Sequence, residues 1–341
     1  LAAGADRNEV GHCGKTPLHY AIEMNNPALV QWLVAEGFDV NAVNEFGDTS
    51  LHTAAEYGYA ECVAVLLNAG ADPGKTDGLG QLPIQEAANL AVARLLIATG
   101  EDLSKVNDEV RRELTGTAGG ELNTTREQYR VGRDRTFGRA NPERNPNPFW
   151  RAMVQAGCSA YRARSLFDEN RTYEGQARPV WCYHRFGRTT TWLPDGRIIE
   201  IAGEHEDHYD PDFCIYNDVV VFDGKGGFEI LSYPERVFPT TDFHTATLVG
   251  RSLYIIGNLG YPRQRKAGET PVYRLDCRTF QIETIRTFGE KPGWISEHNA
   301  RYEAGAHRIC IRGGQIMGRN LAPNSQTYAL DLKSHRWTRL P

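Results

Sequence analysis

Gly14-Lys15-Thr16-Pro17-Leu18-His19-Tyr20-Ala21 decides the reading of this chain, because its pattern returns 33 residues later as Gly47-Asp48-Thr49-Ser50-Leu51-His52 and again as Gly80-Gln81-Leu82-Pro83-Ile84. A second marker, the glycine at 4, 37 and 70, keeps the same 33-residue period. Two markers with one period define a repeat array. Thr16 and Thr49 stand where a helix needs an N-cap, and Pro17 takes the first helical position, where its missing N–H costs nothing. Leu18, Ala21 and Ile22, then Leu29, Val30, Leu33 and Val34, follow helical spacing. Gly37 and Gly70 terminate the second helix. Each unit predicts helix, turn, helix and a long loop, and only stacking can bury its apolar face.

Thr16-Pro17-Leu18-His19-Tyr20-Ala21 resembles the Thr-Pro-Leu-His-x-Ala signature of ankyrin repeats, and the resemblance covers about residues 1–115. The third unit keeps Pro83, loses the His and is three residues short around Ala88-Asn89-Leu90, as expected of a worn terminal repeat. A helix over Asn107–Leu114 would cap it, while Leu1–Asp6 reads as the tail of a repeat that starts upstream. The resemblance implies protein binding through finger tips and the exposed face of the first helix. Mapped onto this chain, those positions are His12, Cys13, Lys15, Glu23, Met24, Glu45, Phe46, Asp48, Glu56, Tyr57, Leu79 and Gln81. Phe46, Tyr57, Met24 and Leu79 are large apolar groups where solvent is expected, which suits interface anchors. The alternative is packing between fingers. His19 and His52 are expected to bond loop backbone rather than metal.

With 341 residues, 38 Lys+Arg and 43 Asp+Glu, the formal charge is −5, without the basic surplus of a nucleic-acid-coating protein. Hydrophobics at 40% supply a sizeable core, and no apolar run of about 18 residues suggests a membrane span. Seven scattered cysteines without a CxxC pair suggest neither a zinc ribbon nor a disulfide scaffold, and make a reducing, cytoplasmic setting the default.

Residues 116–148 are rich in Gly, Thr, Asn, Arg and Pro and read as a solvated linker; their arginines are diluted by Glu121, Glu127, Asp134 and Glu143. Residues 149–182 read as one helix, Phe149–Phe167, plus a connector packing on the C-terminal domain.

From 183 to 341 the apolar period changes to alternation. Small-residue pairs recur as Ala202-Gly203, Gly257-Asn258 and Gly313-Gly314, spaced 55 and 56, and strands ending in Asp recur at Asp223, Asp276 and Asp331. Matching strands lie between them, four per unit of about 50 residues, the signature of propeller blades. The region resembles kelch repeats, whose second strand ends in a glycine pair against a later aromatic; the third unit keeps both glycines and Trp337. The expected fold class is therefore α + β multidomain: an ankyrin solenoid, then three kelch-like blades of an incomplete propeller. An unclosed set leaves a strand edge for pairing between chains.

Glu204-His205-Glu206-Asp207-His208-Tyr209-Asp210-Pro211-Asp212 concentrates carboxylates and imidazoles after the first blade's second strand. With His244 and His298 opening the inner strands of the next two blades, Glu204, His205, His208 and Asp210 form a candidate divalent-metal set, the basis of an alternative metal-dependent enzyme. A solvated, salt-bridged loop is the simpler expectation, with no cofactor. A carbohydrate-binding propeller using Trp192, Tyr209, Tyr261 and Trp294 is a third reading. No phosphate loop, nucleophile elbow or triad spacing is present. The leading expectation is a non-catalytic scaffold that binds protein partners, not nucleic acid.

Overall fold

A computed structural model describes residues 9–99, 103–117, 119–167, 179–207, 210–317 and 320–341, apart from the side chains of 104, 108, 206, 207 and 210–212. Leu1–Asp6, read as a repeat tail, lies outside the described residues. The chain divides into two compact units, Leu1–Leu114 and Thr115–Pro341.

In the first unit, helices α1 (Pro17–Glu23) and α2 (Pro27–Ala35) form one hairpin, and α3 (Ser50–Glu56) and α4 (Ala60–Asn68) the next. First helices pack on first helices and second on second, and Leu18, Ile22, Leu51, Val63 and Leu66 are fully buried on them. The third repeat reduces its first helix to one 3₁₀ turn, Pro83–Glu86, followed by α5 (Leu90–Ala98). The missing residues fall after that turn, so the helix has no length in which to continue. Helix α6 (Asp108–Thr115) begins where expected. Asn107 caps it, its Oδ1 accepting from Val110 N at 3.0 Å, while its Nδ2 donates to Ala87 O at 2.9 Å on the third repeat.

The second unit corrects two expectations. The supposed solvated linker carries helix α7 (Arg126–Gly132), begun by a Thr125–Gln128 capping box, and strand β1 (Glu143–Arg144). It is ordered by tertiary partners that its composition does not announce. Tyr129 is buried edge-on to Phe149 at 5.4 Å, and Asn141 makes two hydrogen bonds to the Ile282 backbone, at 2.7 and 2.9 Å. The single helix expected over Phe149–Phe167 is two: α8 (Pro148–Ala156) and α9 (Ala160–Phe167). Gly157 breaks it by adopting the left-handed conformation, φ 62°, that favours glycine.

Three antiparallel meanders follow, at the positions the landmarks predict. The first joins β2 (Thr189–Trp192), β3 (Ile198–Ile201), β6 (Val219–Phe222) and β7 (Phe228–Ser232), with β1 added at the outer edge. Between β3 and β6 lies a hairpin, β4 (Glu204–Asp207) with β5 (Asp210–Ile215). The second meander joins β8 (Thr245–Val249), β9 (Ser252–Ile256), β10 (Val272–Asp276) and β11 (Ile282–Thr284). Next come β12 (Phe288–Gly289), β13 (Trp294–Ser296), β14 (Asn299–Glu303), β15 (Arg308–Arg312), β16 (Gln315–Met317), β17 (Leu321–Pro323), β18 (Thr327–Asp331) and β19 (Arg336–Leu340). Of these, β14, β15, β18 and β19 form the third meander, with β12 parallel to β19, and β13, β16 and β17 form a small separate sheet.

The meanders pack face to face. Ile199, Val221, Leu253, Ile255 and Leu275 fill the layer between the first and second; Ile256, Val272, Ile309, Ile311 and Trp337 fill the layer between the second and third. Arg151 of α8 lies 4.7 Å over the Phe228 ring of the first meander, and Trp150 of α8 stacks at 4.5 Å on Trp181, in the segment that precedes it. Gly314 shows why small residues recur after the second strand: a Cβ there would sit 2.3 Å from Ser296 O.

Candidate functional site

The fingers of the first unit are built alike. Asn44 Oδ1 accepts from Phe46 N at 2.8 Å and Asp48 N at 3.0 Å; 33 residues on, Asp77 Oδ1 accepts from Leu79 N at 2.9 Å and Gln81 N at 2.7 Å. Such side-chain turns hold a tip without further packing. Adjacent tips are tied through backbone, with Glu45 N donating to Cys13 O at 3.0 Å and Gly78 N to Phe46 O at 2.8 Å. The tips thereby project Phe46, 61% exposed, and Leu79, 84% exposed, from equivalent positions.

The remaining positions mapped to this face divide by exposure. His12, Met24, Glu45, Glu56 and Tyr57 are exposed, whereas Lys15, Glu23, Asp48 and Gln81 are half-buried. Lys15 Nζ and the Glu23 carboxylate form an ion pair, and this hydrogen bond raises the lysine's pKa. Glu86 was not among the positions read from the sequence. Burial, then the charges of Asp48, Asp77 and Glu56, push its carboxyl up to about 7.

His19 and His52 are structural, as expected. Their Nδ1 atoms accept from Thr16 N and Thr49 N, both at 3.2 Å, and their Nε2 atoms donate to Asp48 O at 3.0 Å and Gln81 O at 3.2 Å. Burial lowers both pKa values, keeping the rings neutral. Each ring thus locks its own helix start to the next finger.

A family model for ankyrin repeats, in three copies, matches residues 1–77 and 27–109. The N-terminal region carries ankyrin repeats. Ankyrin repeats are protein-interaction modules. No curated protein matches this chain.

Outside the ankyrin unit, the acidic and histidine residues do not form the expected loop. Glu204 and His205 are buried on β4, opposite Ile215 and Cys214 of β5. The pairing is strand pairing, so successive side chains take opposite faces. His208 and the Asp210 side chain lie outside the described residues. His244 and His298 serve the sheet packing. His244 Nε2 lies 2.8 Å from Thr189 Oγ1 of the first meander, and His298 Nε2 lies 2.9 Å from Thr245 Oγ1 of the second. Burial lowers both to about 3, the positive form of His298 adding to the effect on His244. Among the described residues, no group of three His, Cys, Asp or Glu side chains is placed to hold a metal ion.

Two of the four aromatics considered for carbohydrate are engaged in structure. Trp294 is buried and donates to Leu259 O at 3.1 Å, and Tyr261 accepts from Ile215 N at 3.0 Å. Trp192 is half-buried on β2, and Tyr209 lies outside the described residues. No helix among the described residues is long and apolar enough to cross a membrane.

Proposed function

We propose that this chain is a non-catalytic scaffold whose ankyrin unit binds protein partners through its finger tips and first-helix ends, and whose second unit is a kelch-like set of propeller blades. The observation that carries the binding reading is the pair Phe46 and Leu79, raised on identically built tips and left in solvent. Exposed apolar groups on a rigid support lose little entropy on docking, which is what an anchor needs. Met24 and Tyr57 extend the same apolar character along the ends of α1 and α3.

The blade reading is supported by three four-stranded meanders at a regular spacing, by their face-to-face cores, and by the His–Thr bonds between successive first strands. Blade loops would supply a second binding surface. Seven cysteines without a disulfide fit a reducing, cytoplasmic setting.

Capture of partners from cell extract by the full chain, set against Phe46→Ser/Leu79→Ser, tests the reading. Proteins retained by the wild type should be lost with the double variant while its thermal melt is unchanged. Equal retention by both would sink the assignment of this face.

A further inference from the structure

The chemistry of the ankyrin face restricts what it can bind, a restriction that rests on the protein-binding reading above. The segments forming the second and third fingers and their first-helix turns, 44–57 and 77–86, contain Glu45, Asp48, Glu56, Asp77 and Glu86 and no Lys or Arg at all. Four of these carboxylates share one field: burial first, and then the charges of Asp48, Asp77 and Glu56, raise the Glu86 carboxyl to about 7. The lysine of the first finger, Lys15, is already engaged by Glu23, and Lys75, just before the third finger, donates to Asn41 O at 2.7 Å, though its charge still reaches His52. Within that negative field stand Phe46, Tyr57 and Leu79, all exposed.

We propose that this face docks a cationic segment of a partner protein, in which an apolar side chain is flanked by Lys or Arg. The apolar side chain seats against Phe46 and Leu79 and provides most of the contact energy. The flanking cations meet Glu45 and Glu56, which are exposed, and relieve the repulsion among the carboxylates behind them. An acidic segment with the same anchor meets only like charge. The neighbouring apolar and acidic groups thus select by sign as well as by shape.

Three labelled synthetic peptides and the full chain test this by fluorescence anisotropy: a Leu-Trp anchor flanked by Lys and Arg, the same anchor flanked by Glu, and the cationic peptide with Ser in place of the anchor. The cationic anchored peptide should bind at least about tenfold tighter than either other peptide, and weaken as salt rises. Glu45→Lys/Glu56→Lys leaves Asp48, Asp77 and Glu86 in place, so it should weaken binding of the cationic peptide and strengthen that of the acidic one relative to the wild type, a gain that a misfolded variant could not produce. Comparable binding of the acidic peptide to the wild type, no binding of the cationic peptide, or no strengthening of the acidic peptide in the charge-changed variant would each overturn the proposal. Charge-blind binding lost in Phe46→Ser/Leu79→Ser would overturn the cationic preference alone and leave the protein-binding face standing; equal retention of extract proteins by the wild type and that double variant is the separate failure of that face.

Discussion

The ankyrin unit and the β unit solve the same problem, joining repeats to one another, with a different balance of polar ties. Between ankyrin repeats most polar ties end on backbone: a histidine donates to a finger carbonyl, and tip N–H groups pair with tip carbonyls, while Asp72 N donates to the Asn41 side chain at 2.8 Å. Between the β meanders backbone ties also occur, Phe243 N donating to Gly187 O at 2.7 Å and Glu297 N to Phe243 O at 2.8 Å, but each junction adds a buried side-chain pair, His244 to Thr189 and His298 to Thr245. Deeper still, Arg185 is buried in an ion pair with Asp218, with its guanidinium 3.7 Å from the Tyr216 ring centroid. A backbone acceptor is present whatever the neighbouring residue is, so the ankyrin repeat can vary its surface freely. A buried charge or imidazole depends on one named partner, so the β unit is specified more tightly and damaged more easily.

The sharpest way to break that contrast is to remove one side of the buried pair. Asp218→Ala leaves the Arg185 charge uncompensated and should cost the β unit about 3–5 kcal/mol, without shifting the ankyrin transition. Chemical denaturation followed by tryptophan fluorescence and circular dichroism resolves the two. Loss of less than about 1 kcal/mol would show that the pair is solvated in solution.

In the ankyrin unit the largest single cost should come from packing instead. Leu51→Ala, at a fully buried side chain shared by neighbouring repeats, should lose about 2–5 kcal/mol. Because each repeat contacts only its neighbours, the loss should spread along the array, which hydrogen exchange across 17–98 would show.

Acid sharpens the comparison further. His244 and His298 are held near 3 against an ordinary value of 6.5, so the unfolded chain takes up protons below 6.5 that the folded chain refuses. Their contribution is complete above pH 6.5 and is lost as pH falls toward 3, at about 1.4 kcal/mol per pH unit for each ring. Asp242, raised by burial to about 6, acts with the opposite sign: its contribution is present below 3.8 and lost as pH rises through 6. Between pH 6 and 4 Asp242 offsets about one of the two rings, so the β unit should weaken by about 1.4 kcal/mol per pH unit, and His298→Gln should bring that slope close to zero. A slope unchanged in that variant would refute the assignment.

The smallest stability effect should accompany the largest effect on binding. Phe46→Ser touches an exposed tip and should change stability by less than about 0.5 kcal/mol while abolishing capture of partners.

Much of the architecture was legible because repetition states it twice. The 33-residue period located both helix layers, and the 53- to 56-residue landmarks located the strands of three meanders. What was missed depends on distant partners or on a single residue. Helix α7 was announced by Thr125-x-x-Gln128, but the surrounding polar composition concealed it. Gly157 divided a continuous apolar pattern, and no periodicity registers one left-handed residue. The acidic stretch looked like a loop because the pairing of β4 with β5 is not encoded in either strand's alternation. On the binding face, Phe46, Tyr57, Met24 and Leu79 were legible by position, whereas Glu86 emerged only once the fold brought Asp48, Asp77 and Glu56 around it.

The central claim, that the finger tips are where a partner sits, is tested most directly by placing a photo-crosslinking amino acid at position 46 and, in a second protein, at Trp32 on the second-helix layer, which is also exposed. In cell extract, position 46 should yield discrete protein adducts that position 32 does not. Adducts that form equally at both positions, or only at 32, would contradict the account.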